Sequence, residues 1–277
     1  MKKSNRFKKF FAVAAVVLVL GLVAGFIGFK IYTGNYYVAD SVMIESIAAE
    51  VGDGVKSYSD DQGTVFIPAD LSSVKAVIAY YPGGKVEYKA YSGLMYKLSA
   101  RGYICVIPHM RGNLAFLNID AIDDIWKRYA DEMTLVDGVD WYLAGHSLGG
   151  VAAAKYLVRS QAGEGASGQA GDVIGISFKG LILCASYSVD DLHGKIPRLL
   201  SVVGSEDGVL KRESYEKYKV NWPDDAKEEI IEGGIHSYFG CYGIQDGDGR
   251  PEITVEEQLD ETAEIIDAWI SKEKGSE

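Results

Sequence analysis

Cysteine is scarce in this chain, histidine almost equally so, and acid is missing altogether from its first segment. The three cysteines among 277 residues, Cys105, Cys184 and Cys241, are odd in number, widely spaced and without a C-x-x-C pair. That pattern indicates neither a disulfide framework nor a zinc site. Cys105 and Cys184 fall in apolar runs that predict core strands, so buried thiols are expected. Residues 1–32 contain no Asp or Glu yet hold six of the 28 basic residues. Beyond them 22 basic residues face 39 acidic ones, a net charge of −17, which argues against nucleic acid or anionic headgroups as electrostatic partners. Internal repeats are absent. Asp246-Gly247-Asp248-Gly249 hints at a calcium loop, but the sixth-position glycine and twelfth-position glutamate of an EF-hand are missing, so no metal is expected.

What is present begins with a long apolar run. Phe10 to Ile31 carries one charge, Lys30, and about 20 such residues are enough to cross a bilayer. Lys2, Lys3, Arg6, Lys8 and Lys9 precede it, so the positive-inside rule places the N-terminus in the cytoplasm and the remainder outside the cytoplasm at the cell membrane. A cleaved signal peptide would have a shorter apolar region and a small-x-small site, and the following GFKIYTGNYYVAD offers none. The expected organisation is a basic tail at 1–9, an uncleaved transmembrane anchor at 10–32, a stalk at 33–52 in which Tyr36 to Glu50, with Val38, Val42, Ile44, Ile47 and Ala48 apolar, reads as a short amphipathic helix or stalk, and one large domain at 53–272. Tyr32, Tyr36 and Tyr37 read as markers of the membrane interface.

Within that domain, Val55 to Ser59 and Gly63 to Pro68 alternate around an Asp60-Asp61-Gln62-Gly63 turn and predict an edge hairpin. Val74 to Tyr81 is a continuous apolar run, hence a buried strand. A helix with Tyr91, Leu94, Met95 and Leu98 on one face stops at Gly102, and Tyr103 to Pro108 is the next strand. Ile119, Ile122, Trp126 and Tyr129 mark another amphipathic helix. Val139 to Leu143 is a strand, followed by a helix of small residues from Leu148. Gln161 to Asp172 reads as a Gly-rich surface loop. Phe178 to Ala185, Leu199 to Gly204 and Lys227 to Glu232 are further strands, with a short helix at Lys211 to Tyr218. Tyr187 to Pro197 is a loop placed to overhang a site. Thr254-x-x-Glu257 is a capping box that opens a last helix, with Val255, Leu259, Ile266 and Trp269 inward. Such alternation predicts parallel crossovers and a three-layer α/β fold.

The stretch Trp141 to Tyr156, WYLAGHSLGGVAAAKY, places Ser147 on a turn between strand and helix, the context of a nucleophile elbow. A serine there sits at a helix N-terminus, where free N–H groups favour negative charge. It needs a base, and the base needs an orienting acid; on this topology they follow in the order acid, then histidine, each after a strand. His236 alone of the four histidines fits that order, after Lys227 to Glu232. The side chain of His146 is expected to leave the elbow in another direction. The acid follows Leu199 to Gly204 and is Asp207 or Glu206, with Asp207 favoured by the glycine after it. Donors for an oxyanion are expected from the N–H of Leu148 and from the Gly83-Gly84-Lys85 loop, at Gly84 or at Lys85.

The stretches YYPGGKVEYKAY, VIPHMRGNLAFLNIDAID, AGHSLGG, GSEDGV and EGGIHSYFGCYGIQDGDGRPEITVEEQ resemble the α/β hydrolases, in particular the dienelactone-hydrolase-like and fold-5 group. Ile235 and Ser237-Tyr238 depart from that group's GGNHAQFG pattern. The resemblance implies an α/β-hydrolase sandwich with a mostly parallel sheet and a triad of Ser147, Asp207 and His236. It implies a serine hydrolase acting on small ester-like substrates, with no cofactor. Acyl transfer through the same residues, or ligand binding without catalysis, remains open at this point.

Overall fold

The computed structural model describes residues 2–128, 138–161 and 176–272, and the chain divides into one unit at 1–36 and another at 37–277. The first unit is helix α1, Lys2–Gly34, within which the apolar stretch Phe10–Gly34 runs for 25 residues and is exposed except at Thr33. At about 1.5 Å per residue it is long enough to span the ~30 Å of a bilayer's hydrocarbon.

The second unit is built on eight strands: β1 Val55–Ser59, β2 Gly63–Pro68, β3 Ala76–Tyr81, β4 Tyr103–Pro108, β5 Asp140–His146, β6 Phe178–Cys184, β7 Leu199–Gly204 and β8 Lys227–Ile231. They form one sheet in the order β1-β2-β4-β3-β5-β6-β7-β8. β2 is antiparallel to both β1 and β4, and the remaining pairs are parallel. The hairpin turn closes because Asp60 Oδ1 accepts from the N–H groups of Gln62 and Gly63.

Every residue of β3, β4 and β7 is buried, because helices cover both faces. The strand period of two sends neighbours to opposite layers. Ile78 and Tyr80 join one cluster, with Leu94 of helix α3 (Ser92–Ala100) and Leu259 and Ile266 of the C-terminal helix. Val77 and Ala79 join the other, with Ile122 of α4 (Ala121–Arg128) and Ala152, Ala153 and Leu157 of α5 (Leu148–Gln161). Helix α6, Arg212–Tyr218, contributes Tyr215 to that second layer. The C-terminal helix α7, Val255–Ser271, opens with the expected capping box of Thr254 and Glu257. The α/β-hydrolase architecture expected from the sequence is therefore the one observed.

Two boundaries differ from the sequence reading. The amphipathic helix expected from Ile119 starts at Ala121, after two short 3-10 turns at Arg111–Asn113 and Ala115–Leu117. Tyr129 and, beyond Gln161, the Gly-rich loop lie outside the described residues. The second difference concerns the expected stalk, of whose two readings the short amphipathic helix is the one observed, packed on the domain. Residues 41–51 form α2, Ser41–Val51, with Asp40 capping it by accepting from Met43 N–H at 3.0 Å. Its Ile47 is 1% exposed and belongs to the core, with Met43, Ile44 and Val51 packed beside it. That apolar stripe has a face to bury, so the folded unit begins at Tyr37 and not at 53.

The three cysteines are free thiols and all are buried. Burial pushes the thiols of Cys184 and Cys241 up to about 12.

Candidate active site

Ser147 lies between β5 and α5 with φ of 50°, a left-handed conformation that costs a residue with a Cβ about 1–3 kcal/mol. The neighbourhood holds it there. Its N–H donates to Cys184 O at 3.0 Å, and its carbonyl accepts from Gly150 N–H at 3.1 Å and from the Ser186 hydroxyl at 2.6 Å. Close packing leaves no alternative path: a Cβ on Gly145 would lie 2.7 Å from Gly150 N, and one on Gly149 would overlap the carbonyls of Tyr81 and Pro82.

Asp207 follows β7 and His236 follows β8, and the two side chains meet. His236 Nδ1 lies 2.9 Å from Asp207 Oδ2, with both side chains at most 2% exposed. Asp207 Oδ1 accepts from the N–H groups of Val209 at 2.9 Å and Leu210 at 2.7 Å, so the carboxylate is pinned at both oxygens. Glu206 instead accepts from its neighbour Ser205. With Nδ1–H donated to a carboxylate, the lone pair of the imidazole is on Nε2. That atom is buried and has no hydrogen-bond partner among the described residues. His236 and Ser147 line one cavity of about 190 Å³, together with Leu148, Val151, Tyr187 and Leu210, and with Lys211. A second cavity of about 400 Å³, lined by Arg198, Lys227 and Trp269 among others, contains none of these residues.

The loop after β3 comes against the elbow. A Cβ on Gly84 would lie 2.7 Å from the Leu148 side chain. Among the described residues neither Gly84 N–H nor Leu148 N–H makes a hydrogen bond, whereas Lys85 N–H is committed to Asn113 O at 2.7 Å. Of the two candidates in that loop, only Gly84 has a donor to offer. Gly83 N–H donates to Tyr91 OH at 2.9 Å, and Tyr91 OH lies 2.8 Å from His146 Nδ1.

The remaining histidines go elsewhere, with one exception to the sequence reading. His109 stacks on Tyr88 and His193 pairs with Asp191 at the surface. His146 does not turn away from the site, because its ring packs 4.5 Å from that of His236. Burial, and then the neighbouring His236 imidazole, hold its pKa well below 6.5. A neutral ring there adds no charge against His236.

Three supports were not visible in the sequence. Asp248, from the stretch weighed as a calcium loop, accepts through Oδ1 from His236 N–H at 3.2 Å and Gly208 N–H at 3.1 Å. Its Oδ2 accepts from Ser237 N–H at 2.8 Å and the Ser237 hydroxyl at 2.5 Å. Gln258 grips both backbone groups of Ile235, at 2.9 and 2.8 Å. Tyr91 is the third. Each contact bridges residues distant in the chain, so local pattern carries no signal for it.

The alpha/beta hydrolase family matches residues 77–260 of the chain. No curated protein sequence matches significantly. Among solved structures, an esterase of Pyrobaculum calidifontis superposes with a TM-score of 0.56 at 16% identity, over 83% of this chain and 89% of its own. A second structure, of a hyperthermophilic esterase from the same archaeon, covers 87% and 92% at the same score and identity. A soluble variant of monoglyceride lipase from Saccharomyces cerevisiae, in complex with a substrate analogue, has a TM-score of 0.54 at 11% identity over 80% and 97%. At such identities the likeness is one of fold.

Proposed function

The chain belongs to the alpha/beta hydrolase family, and from that premise we propose that it is a serine hydrolase of ester-like bonds, held at the cell membrane by α1 with its catalytic domain outside the cytoplasm. The observation that carries the reading is the 2.9 Å contact of His236 with Asp207, whose partner atom Nε2 is left unbonded in the cavity that Ser147 also lines. His236 takes the Ser147 proton as Oγ attacks the ester carbonyl carbon. The N–H groups of Gly84 and Leu148 hold the resulting oxyanion. Collapse breaks the bond to the leaving alkoxide, which receives the proton from His236. Water then repeats the sequence on the acyl-enzyme, releasing acid and free serine. Asp207 keeps the imidazole in the tautomer this requires.

The cavity is smaller than the ~300–1,000 Å³ typical of sites for drug-sized ligands, which supports short acyl groups. A fluorophosphonate probe is the direct test. It is expected to label the full-length chain at Ser147 and to leave S147A unlabelled, and wild type is expected to hydrolyse acetyl esters faster than long-chain ones. Folded wild-type protein that stays unlabelled would instead point to a pocket that binds without catalysis. Membrane orientation is checked separately, by whether a protease outside the cell degrades residues 37–277.

A further inference from the structure

The site is assembled from loops that leave the sheet at different strands, and one residue outside it touches two of them. Tyr37 N–H donates to Lys85 O at 2.8 Å, and Glu87 N–H donates to Tyr37 O at 2.9 Å, so the residue forms a parallel bridge alongside Val86. Its side chain goes to the other loop. Tyr37 OH accepts from Asp246 N–H at 2.9 Å, and its ring lies 5.8 Å from that of Tyr242. The next residues repeat the pattern, with Ala39 N–H on the Glu87 carboxylate at 3.0 Å and Asp40 N–H on Cys241 O at 2.8 Å. A direct backbone bond, Cys241 N–H to Ala90 O at 2.7 Å, reinforces them.

We infer that Tyr37 is a positioning residue that ties the loop carrying Gly84 to the loop carrying His236, so that the chain directly behind the candidate membrane span is part of the active-site scaffold. Lys85 is the neighbour of the oxyanion donor, and Asp246 stands two residues from Asp248, which holds the His236 backbone. Gly84 is therefore one residue from a Tyr37 contact, and Asp248, through which the His236 backbone is held, is two residues from the other. Displacing a reacting group by about 1 Å can cost on the order of 100-fold in rate. Tyr37 is only half-buried, and it follows the end of α1 at Gly34 by three residues. A stapling role placed there makes residues 37–40 indispensable to a site whose named residues all lie beyond position 80.

The inference rests on the serine-hydrolase reading for its kinetic arm and on geometry alone for its exchange arm. Full-length wild type, Y37F and Y37A are compared in detergent micelles. Y37A is expected to lower the rate of fluorophosphonate labelling and kcat for an acetyl ester about 10- to 100-fold, with KM within about twofold and the melting temperature little changed. Y37F, which keeps the ring against Tyr242 and loses only the hydroxyl, should recover most of that rate. In hydrogen exchange Y37A, whose main-chain bridge is left without its side-chain anchor and loosens, is expected to lose protection in both 85–87 and 241–246, and Y37F in 241–246 only. Unchanged exchange in both segments, labelling of Y37A at the wild-type rate, or protection lost evenly across the domain would overturn the assignment. If wild type itself is not labelled, the hydrolase reading fails, while the exchange pattern still decides whether Tyr37 joins the loops.

Discussion

The two halves of the site are held by different forces. On the elbow side, Ser147 keeps its strained backbone because Gly145 and Gly149 let β5, α5 and the end of β3 approach until no Cβ fits between them. On the loop side, Asp207 and His236 are placed by hydrogen bonds that converge from Val209, Leu210, Asp248 and, through Ile235, Gln258. Sterics of backbone against backbone cannot relax gradually, because interiors are packed to crystal-like density. A network of polar contacts loosens one bond at a time. The Ser147 elbow should therefore fail abruptly and the Asp207–His236 pair by degrees.

The largest effect comes from breaking the join between the halves. S147A and H236A are each expected to reduce ester turnover by about 10⁶, and the double variant by no more than either alone, since the two residues act as a unit. Additive losses in kcat/KM would mean that the groups work separately. Next, G149A tests the steric half. Its Cβ would run into the carbonyls of Tyr81 and Pro82, and overpacking of this kind costs about 1–3 kcal/mol. A clear drop in melting temperature together with lost labelling is expected, and a variant with wild-type stability would show that the elbow has room to spare. D248N tests the polar half more gently. One carboxylate oxygen becomes an NH2 group facing N–H or O–H donors, at a cost of about 1.5–3 kcal/mol for a hydrogen bond to a charged group. The expected outcome is a kcat about tenfold lower with KM and labelling stoichiometry retained. An unchanged kcat would remove Asp248 from the support of the base.

This division also explains what could be read in the sequence. The strands of β3, β4 and β7 are continuous apolar runs, and the elbow is a contiguous motif, so the fold and the turn that carries Ser147 were legible from local pattern. The pairing of His236 with an acid after β7 was legible because chain order limits the choice, although telling Asp207 from Glu206 needed the direction of a side chain. The roles of Asp248, Gln258, Tyr91 and Tyr37 were not legible. Each depends on a contact between segments brought together only by folding, and Asp248 in its Asp-Gly-Asp-Gly setting resembled a metal loop. The stalk misled for a related reason. A short amphipathic helix beside a membrane span has the same pattern whether it stands free or packs Ile47 into a core.

His146 gives the smallest and most specific test, because it is the side chain that belongs to the elbow strand yet touches the base. Its ring packs against His236 and its Nδ1 lies 2.8 Å from Tyr91 OH. Burial keeps it neutral, with a pKa well below 6.5, whereas in the unfolded chain it takes up a proton near 6.5. Below that pH the unfolded state binds more protons than the folded one, so stability is complete above about pH 6.5 and falls as the pH drops. The slope from this one group is at most about 1.4 kcal/mol per pH unit. The carboxyls of Glu228 and Asp267, whose pKa values are lowered from 4.5 and 3.8, act at more acid pH, and comparison with a variant lacking only this imidazole isolates its share between about pH 6.5 and 5. Denaturant unfolding of wild type and H146N across that window is expected to show a steeper acid loss in wild type. Parallel curves would mean that His146 is protonated in the folded state, and the base would then work beside a second positive charge.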